Sequence, residues 1–237
     1  MKIRLTPGER MVDDIIHVTG VAIGLIAVIA MLIAAARSLP AASTACLAIY
    51  GVAVVTMLGC SAAYHMAPAM HWKEWLRRLD HAAIFLKIAG TYTPFAAIKI
   101  GDAGGLALLG SVWLVALLGS AGKLLLASTW DRLAVLLYLL LGWSGVVMVE
   151  SLAAAVTSTT LILLATGGAL YTVGIVFHLW RSLPFQRAVW HTFVLAGDCL
   201  PFWRGYERSL CLTAVAHFTT AHEANIFVRA KPKLAAS

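Results

Sequence analysis

Charged side chains are scarce in this 237-residue sequence: Asp, Glu, Lys and Arg make up 12% of it, where soluble domains carry roughly a quarter. Hydrophobic residues make up 61%, and the mean hydropathy is +0.86. Such a chain has too little polar surface for a water-soluble globule, which leaves an integral membrane protein. Cysteine is also sparse. Cys46, Cys60, Cys199 and Cys211 form no CxxC pair, so neither a zinc knuckle nor a disulfide framework is indicated. Acidic residues number 11 against 18 basic, giving a net charge of +7 and a pI near 9.5. The basic residues stand at the ends of apolar runs and not on a polar face, which speaks for membrane orientation and against nucleic acid as a partner. No linker or low-complexity tract marks a second domain.

What is present is a series of apolar runs. Crossing the hydrocarbon core takes about 20 residues. Runs of that kind fall at about 15–36, 44–66, 81–100, 104–126, 133–152 and 158–179, with a seventh starting at Ala188 and failing partway. The first is too long for a signal-peptide core, and Asp13, Asp14 and His17 lead into it, so no cleavage is expected. With the N-terminus inside, Lys2, Arg4, Arg10, Lys73, Arg77, Arg78, Lys123, Arg132, Arg181 and Arg187 all become cytoplasmic. Before residue 188 only Arg37, Lys87 and Lys99 do not, so the positive-inside bias predicts an all-α, multi-pass bundle with a cytoplasmic N-terminus.

That orientation brings His17, His65, Asp80, His81, His178 and His191 to the cytoplasmic ends of five different runs. Ionisable residues in lipid are costly and face a bundle interior or cavity, so one shared polar site is expected. Metal-assisted hydrolysis suits such a layer, because catalytic zinc takes three protein ligands and activates a water in the fourth position. His65 and His191 offer nitrogen ligands, and Asp80 a carboxylate to orient or deprotonate the water. Ser61 stands at i, i+4 from His65 on one helix face, so its hydroxyl reaches the same cavity. Blander roles exist for each. His17 and His71 also fit as interfacial side chains, His81 as a packing residue, Ser61 as a small residue for close helix contact, and Asp80 as a partner for Arg77 or Arg78.

The segments SAAYHMAPAMHWKEWLRRLDHAAIFLKIAGTYTPFAAI, ERMVDDIIHVTGVAIG and GIVFHLWRSLPFQRAVWHTFVLAG resemble the hemolysin III family, the bacterial branch of the progestin and adiponectin receptor superfamily. The likeness covers about residues 8–197. It implies a seven-helix bundle in the bacterial inner membrane and a zinc site near the cytoplasmic face. In the superfamily that site is built from Ser-x3-His on the second helix, an Asp opening the third and His-x3-His entering the seventh. Ser61 and His65, Asp80, and His191 match these positions, but the first histidine of the last motif falls on Arg187. A guanidinium has no lone pair for a metal. His178 is therefore the candidate to complete the ligand set with His65 and His191, with His17 behind it. Superfamily members with ceramidase activity imply hydrolysis of a membrane lipid amide, with Asp80 as base and Ser61 holding the substrate. The alternatives are a pore-forming cytolysin, a receptor-like membrane protein, or a degenerate member without activity.

The resemblance stops at Gly197. Family members continue the seventh helix with small apolar residues, whereas DCLPFWRGYERS would place Asp198, Arg204, Glu207 and Arg208 in lipid and break the helix at Pro201. Reading the codons for Cys199 to Arg208 one base later can give Val-Cys-His-Phe-Gly-Ala-Val-Met-Asn-Ala, the apolar continuation. The expectation is a 1–197 transmembrane domain and an atypical 198–237 tail, non-native in sequence through a one-base insertion near the codons for Gly197 to Cys199, its last residues poorly ordered.

Overall fold

A computed structural model of the protein describes residues 6–68, 71–126, 131–180 and 182–203, the side chains of residues 99 and 199–203 excepted. Among these residues every regular element is helical. The order is α1 (Pro7–Ser38), α2 (Ala41–Met66), α3 (Lys73–Pro94), a π-helical turn (Phe95–Ile100), α4 (Ala103–Leu125), α5 (Asp131–Trp143), a 3-10 turn (Ser144–Met148), α6 (Val149–Ala155), α7 (Ser158–Leu179) and α8 (Gln186–Trp203). Since α5 and α6 are two halves of one rod, the described residues form seven helical units. Five of them are long and apolar enough by composition to cross a membrane: α1, α2, α4, the α5–α6 rod and α7. The other two, α3 and α8, bring the buried charged or ionisable residues Asp80, Lys87, His191 and Asp198.

Local chemistry sets the ends. Thr6 and Glu9 form a reciprocal capping box at the start of α1, with Pro7 in the first turn where its missing N–H costs nothing. Asp102 caps α4 by accepting the Gly105 N–H at 2.7 Å. Pro94 removes one helical hydrogen bond, and the chain answers with the π-helical turn, closed by Gly101 at φ 64°.

Two expectations about helix bounds change. α3 begins at Lys73, well before the expected start at 81, because Lys73–Leu79 forms an amphipathic lead-in held by Arg77 to Glu74 (2.8 Å) and to Asp131 of α5 (3.0 Å). The run at 133–152 is not one continuous helix. Its break is held from outside: the Tyr92 hydroxyl accepts the Gly145 N–H at 2.7 Å and lies 2.8 Å from the Gly142 carbonyl. Irregular backbone at membrane depth persists only where protein or a cavity satisfies it, and Tyr92 does so here.

Packing is close where residues are small. A Cβ on Gly90 would lie 2.7 Å from that of Ala53, and one on Gly119 would lie 2.6 Å from the Phe85 ring. α2, α3 and α4 therefore approach one another through small residues, as membrane helices do without a hydrophobic driving force. Outward faces stay apolar: Ile26, Leu125 and Val147 are 68%, 79% and 85% exposed, the pattern of a lipid-facing surface.

The seventh unit departs from expectation in two respects. α8 runs through Pro201 to Trp203, so the proline costs one hydrogen bond without ending the helix there. Asp198, expected in lipid, is 9% exposed and turned inward, two turns beyond His191 on the same face. Arg204, Glu207, Arg208 and the rest of the proposed frame-shifted tail lie outside the described residues.

Candidate metal centre

Three helices each place residues four apart on an inward face. In α1 these are Asp13 and His17, in α2 Ser61 and His65, and in α8 Arg187 and His191. Gly20, one turn past His17, lets Leu195 of α8 approach to within 2.9 Å of where a Cβ would sit, so α1 and α8 close together at this depth. The result is a cluster in which His17, His65 and His191 bring one nitrogen each to within 4.8 Å of one another. Their ring centroids are 4.3 to 4.7 Å apart.

Asp13 organises the three. It is 3% exposed, and its carboxylate faces Nδ1 of each ring: His191 at 3.1 Å, His65 at 3.4 Å and His17 at 3.6 Å. His17 Nδ1 also donates to the Asp13 carbonyl at 2.7 Å, which leaves Nε2 with the lone pair, 3.3 Å from Ser61 Oγ. A carboxylate behind the far nitrogen is how metal-binding histidines are oriented and made more basic.

The residues fit a metal ion on their own chemistry. Three imidazoles match the ligand number and type of a catalytic zinc centre, with their outer nitrogens already turned to a carboxylate. His65 Nδ1 is fully buried without a hydrogen bond, 3.4 Å from Asp13 Oδ2, so the ring is not yet locked in place as a coordinated ion would lock it. Asp80 is 8% exposed and lines the same cavity, and Ser61 lies between it and His17.

Of the residues singled out by sequence, Ser61, His65, Asp80 and His191 are thus brought together. His178 is not part of the cluster. Its ring lies 5.0 Å from that of Trp190, and its carbonyl accepts the Gln186 side-chain amide, so the third nitrogen comes from His17. Arg187 lines the cavity one turn from His191 and supplies no ligand atom. His81 turns back to the Arg77 carbonyl at 2.8 Å, while its own carbonyl accepts the Tyr138 hydroxyl. Asp13 is the residue that sequence reasoning missed as part of the site. The signal was present in DDIIH, where an acid stands one turn before a histidine inside an apolar run.

A cavity of about 1370 Å³ extends from this cluster. One end is lined by Ser61, His65, Asp80 and His191, the other by Leu152, Leu161 and Leu164. A second polar group sits on its wall, where Lys87 meets Asp198 at 2.6 Å and the Tyr171 hydroxyl at 2.8 Å.

The sequence comparisons agree with this architecture. A family profile described as Haemolysin-III related matches residues 9–201. The Hemolysin-3 homolog of Bacillus subtilis is 34% identical over 195 residues, covering 82% of this chain and 92% of the relative. Hemolysin-3 of Bacillus cereus is 33% identical over 195 residues, with 82% and 89% covered. The human Monocyte to macrophage differentiation factor is 27% identical over 175 residues, with 68% and 70% covered. With a profile spanning most of the chain and two bacterial relatives above 30% identity, this multi-pass plasma-membrane protein belongs to the haemolysin-III-related family.

Proposed function

We propose that the protein is a metal-dependent membrane hydrolase acting on a lipid amide, with His17, His65 and His191 as the ligand set. The observation that carries this reading is Asp13, whose carboxylate faces Nδ1 of all three histidines. With Nδ1 turned to the acid, Nε2 of each ring is the nitrogen left for a metal. When bound, zinc would supply Lewis-acid polarisation of a carbonyl and acidify a water. Asp80 would take the proton of the attacking water, and Ser61 would donate its hydroxyl hydrogen to the substrate carbonyl oxygen. Cleavage of the carbon–nitrogen bond then releases a carboxylic acid and an amine, the amine leaving with the proton that Asp80 received. The leucine-lined end of the cavity suits the apolar chain of such a substrate. The leucines at that end speak against a water-filled pore, which needs polar residues along its whole length.

Metal content of the purified protein tests the reading. About one zinc per chain is expected, lost in His17→Ala, His65→Ala and His191→Ala and kept in His178→Ala. Asp80→Asn is expected to keep the metal and lose hydrolysis of a short-chain ceramide in detergent. Freshly purified protein without metal, or full occupancy in His17→Ala, would sink this assignment.

A further inference from the structure

The group formed by Lys87, Asp198 and Tyr171 takes no part in the chemistry above, yet it is among the most costly features of the molecule. Lys87 and Asp198 are 8% and 9% exposed, at a depth where an unpaired charge is expensive. Nζ of Lys87 lies 2.6 Å from Asp198 Oδ1, 2.8 Å from the Tyr171 hydroxyl oxygen and 4.2 Å from the centroid of its ring. The Tyr171 hydroxyl in turn donates to Asp198 Oδ1 at 2.7 Å.

The placement of these residues follows the site. Lys87 stands seven residues after Asp80 on α3, and Asp198 seven after His191 on α8. Seven residues are close to two helical turns, about 10.5 Å, so each lies on the same helix face as the site residue. The two helices reach the cavity from different neighbours: α8 packs along α7 and α1, and α3 along α2 and α4. The ion pair ties them directly. Next to it the α7–α8 contact has no slack, since a Cβ on Gly197 would lie 2.8 Å from the Tyr171 ring. A small rotation of α8 would swing Asp198 away from Lys87 and His191 away from His17 and His65 together.

We infer that Lys87 and Asp198 are positioning residues: their buried ion pair, which Tyr171 braces, fixes the rotation and spacing of α8 against α3 and thereby holds His191 and Asp80 in working relation. The inference rests on the metal reading for its consequence, but not for the tie between the helices.

The test compares Lys87→Met, Asp198→Asn and the exchanged variant Lys87→Asp/Asp198→Lys in the full chain purified in detergent. Two quantities are read. One is the affinity and visible spectrum of cobalt(II) bound in place of zinc. The other is the α3–α8 distance distribution between spin labels at Trp75→Cys and Thr192→Cys, with the four natural cysteines replaced by alanine. Each single variant should weaken cobalt binding by about tenfold or more, as loss of groups that orient ligands does. It should also alter the cobalt spectrum and broaden the distance distribution, and the exchanged pair should reverse all three effects. A lower melting temperature with unchanged affinity, spectrum and distances would reduce the pair to a structural staple and overturn the inference. Where the single variants do not fold, the exchanged variant decides: it must fold and bind cobalt as the wild type does, and failure overturns the inference. Should the wild type bind no cobalt, the metal reading falls, and the distances alone decide the tie. Single variants that keep the wild-type distribution then overturn it.

Discussion

Two buried carboxylates organise the interior, and they do so to opposite ends. Asp13 faces three imidazoles, each with a second nitrogen and a lone pair to offer elsewhere. Asp198 faces an ammonium and a phenol that bond to one another and that both reach its Oδ1. An ammonium has three donors and no acceptor, so Lys87 adds no lone pair for a metal and Asp198 Oδ2 stays buried without a hydrogen-bond partner, whereas the imidazoles of the histidine group can accept an added cation. The same kind of acid therefore makes a binding centre on one level and a tie between helices two turns away. What differs is the partner.

Removing a partner on either level should break this contrast in a different way. The largest effect is expected from His65→Ala, which takes away one of three nitrogens and should abolish stoichiometric zinc, measured as metal per chain after gel filtration. Lys87→Ala comes next. It leaves Asp198 without a counter-charge, and truncating one partner of a buried pair costs about 3–5 kcal/mol, readable as a shift in detergent unfolding. Asp13→Ala should keep the fold, because the packing of α1 against α2 and α8 remains, but lower zinc affinity by about 10- to 100-fold in competition with a chelator. If Asp13→Ala instead unfolds the protein and Lys87→Ala does not, the two levels have been assigned the wrong way round. Tyr171→Phe should be the mildest. It removes one hydroxyl from the lysine group, costs about 1 kcal/mol in unfolding, and should leave zinc binding near the wild-type value because the ion pair remains.

Much of this was legible in the sequence because a bilayer is a demanding solvent. The runs that became α2, α4 and α7 were found to within a few residues at both ends, and α1 at its C-terminal end, while its N-terminal end extends further into the polar flank. Ser61, His65, Asp80 and His191 could be grouped by depth alone. Other features were hidden for identifiable reasons. Depth says how far along a helix a residue lies but not which way it points, so His178 and His17 were indistinguishable until the helices were packed. Arg187 leaves the entry of α8 one nitrogen short, and the nitrogen that completes the cluster comes from α1 at the other end of the chain. Lys87 sits in the middle of an apolar run, which should have marked it as paired. Its partner lay in a segment whose polarity suggested a disrupted helix.

Composition and the spacing of apolar runs by themselves determined that the chain is a bundle of membrane helices with His17, His65, Asp80 and His191 gathered at one end. That follows from the cost of placing charge and unsatisfied backbone in hydrocarbon, which any sequence of this kind must respect. Only the tertiary structure decided which of those residues meet. Contact between Asp13 and His191, 178 positions apart, depends on how α1 and α8 are rotated where Gly20 admits Leu195. The pairing of Lys87 with Asp198 depends on how α3 and α8 face across one cavity. Rotation of a helix about its own axis is set by the side chains of its neighbours, and no pattern read along a single helix contains it.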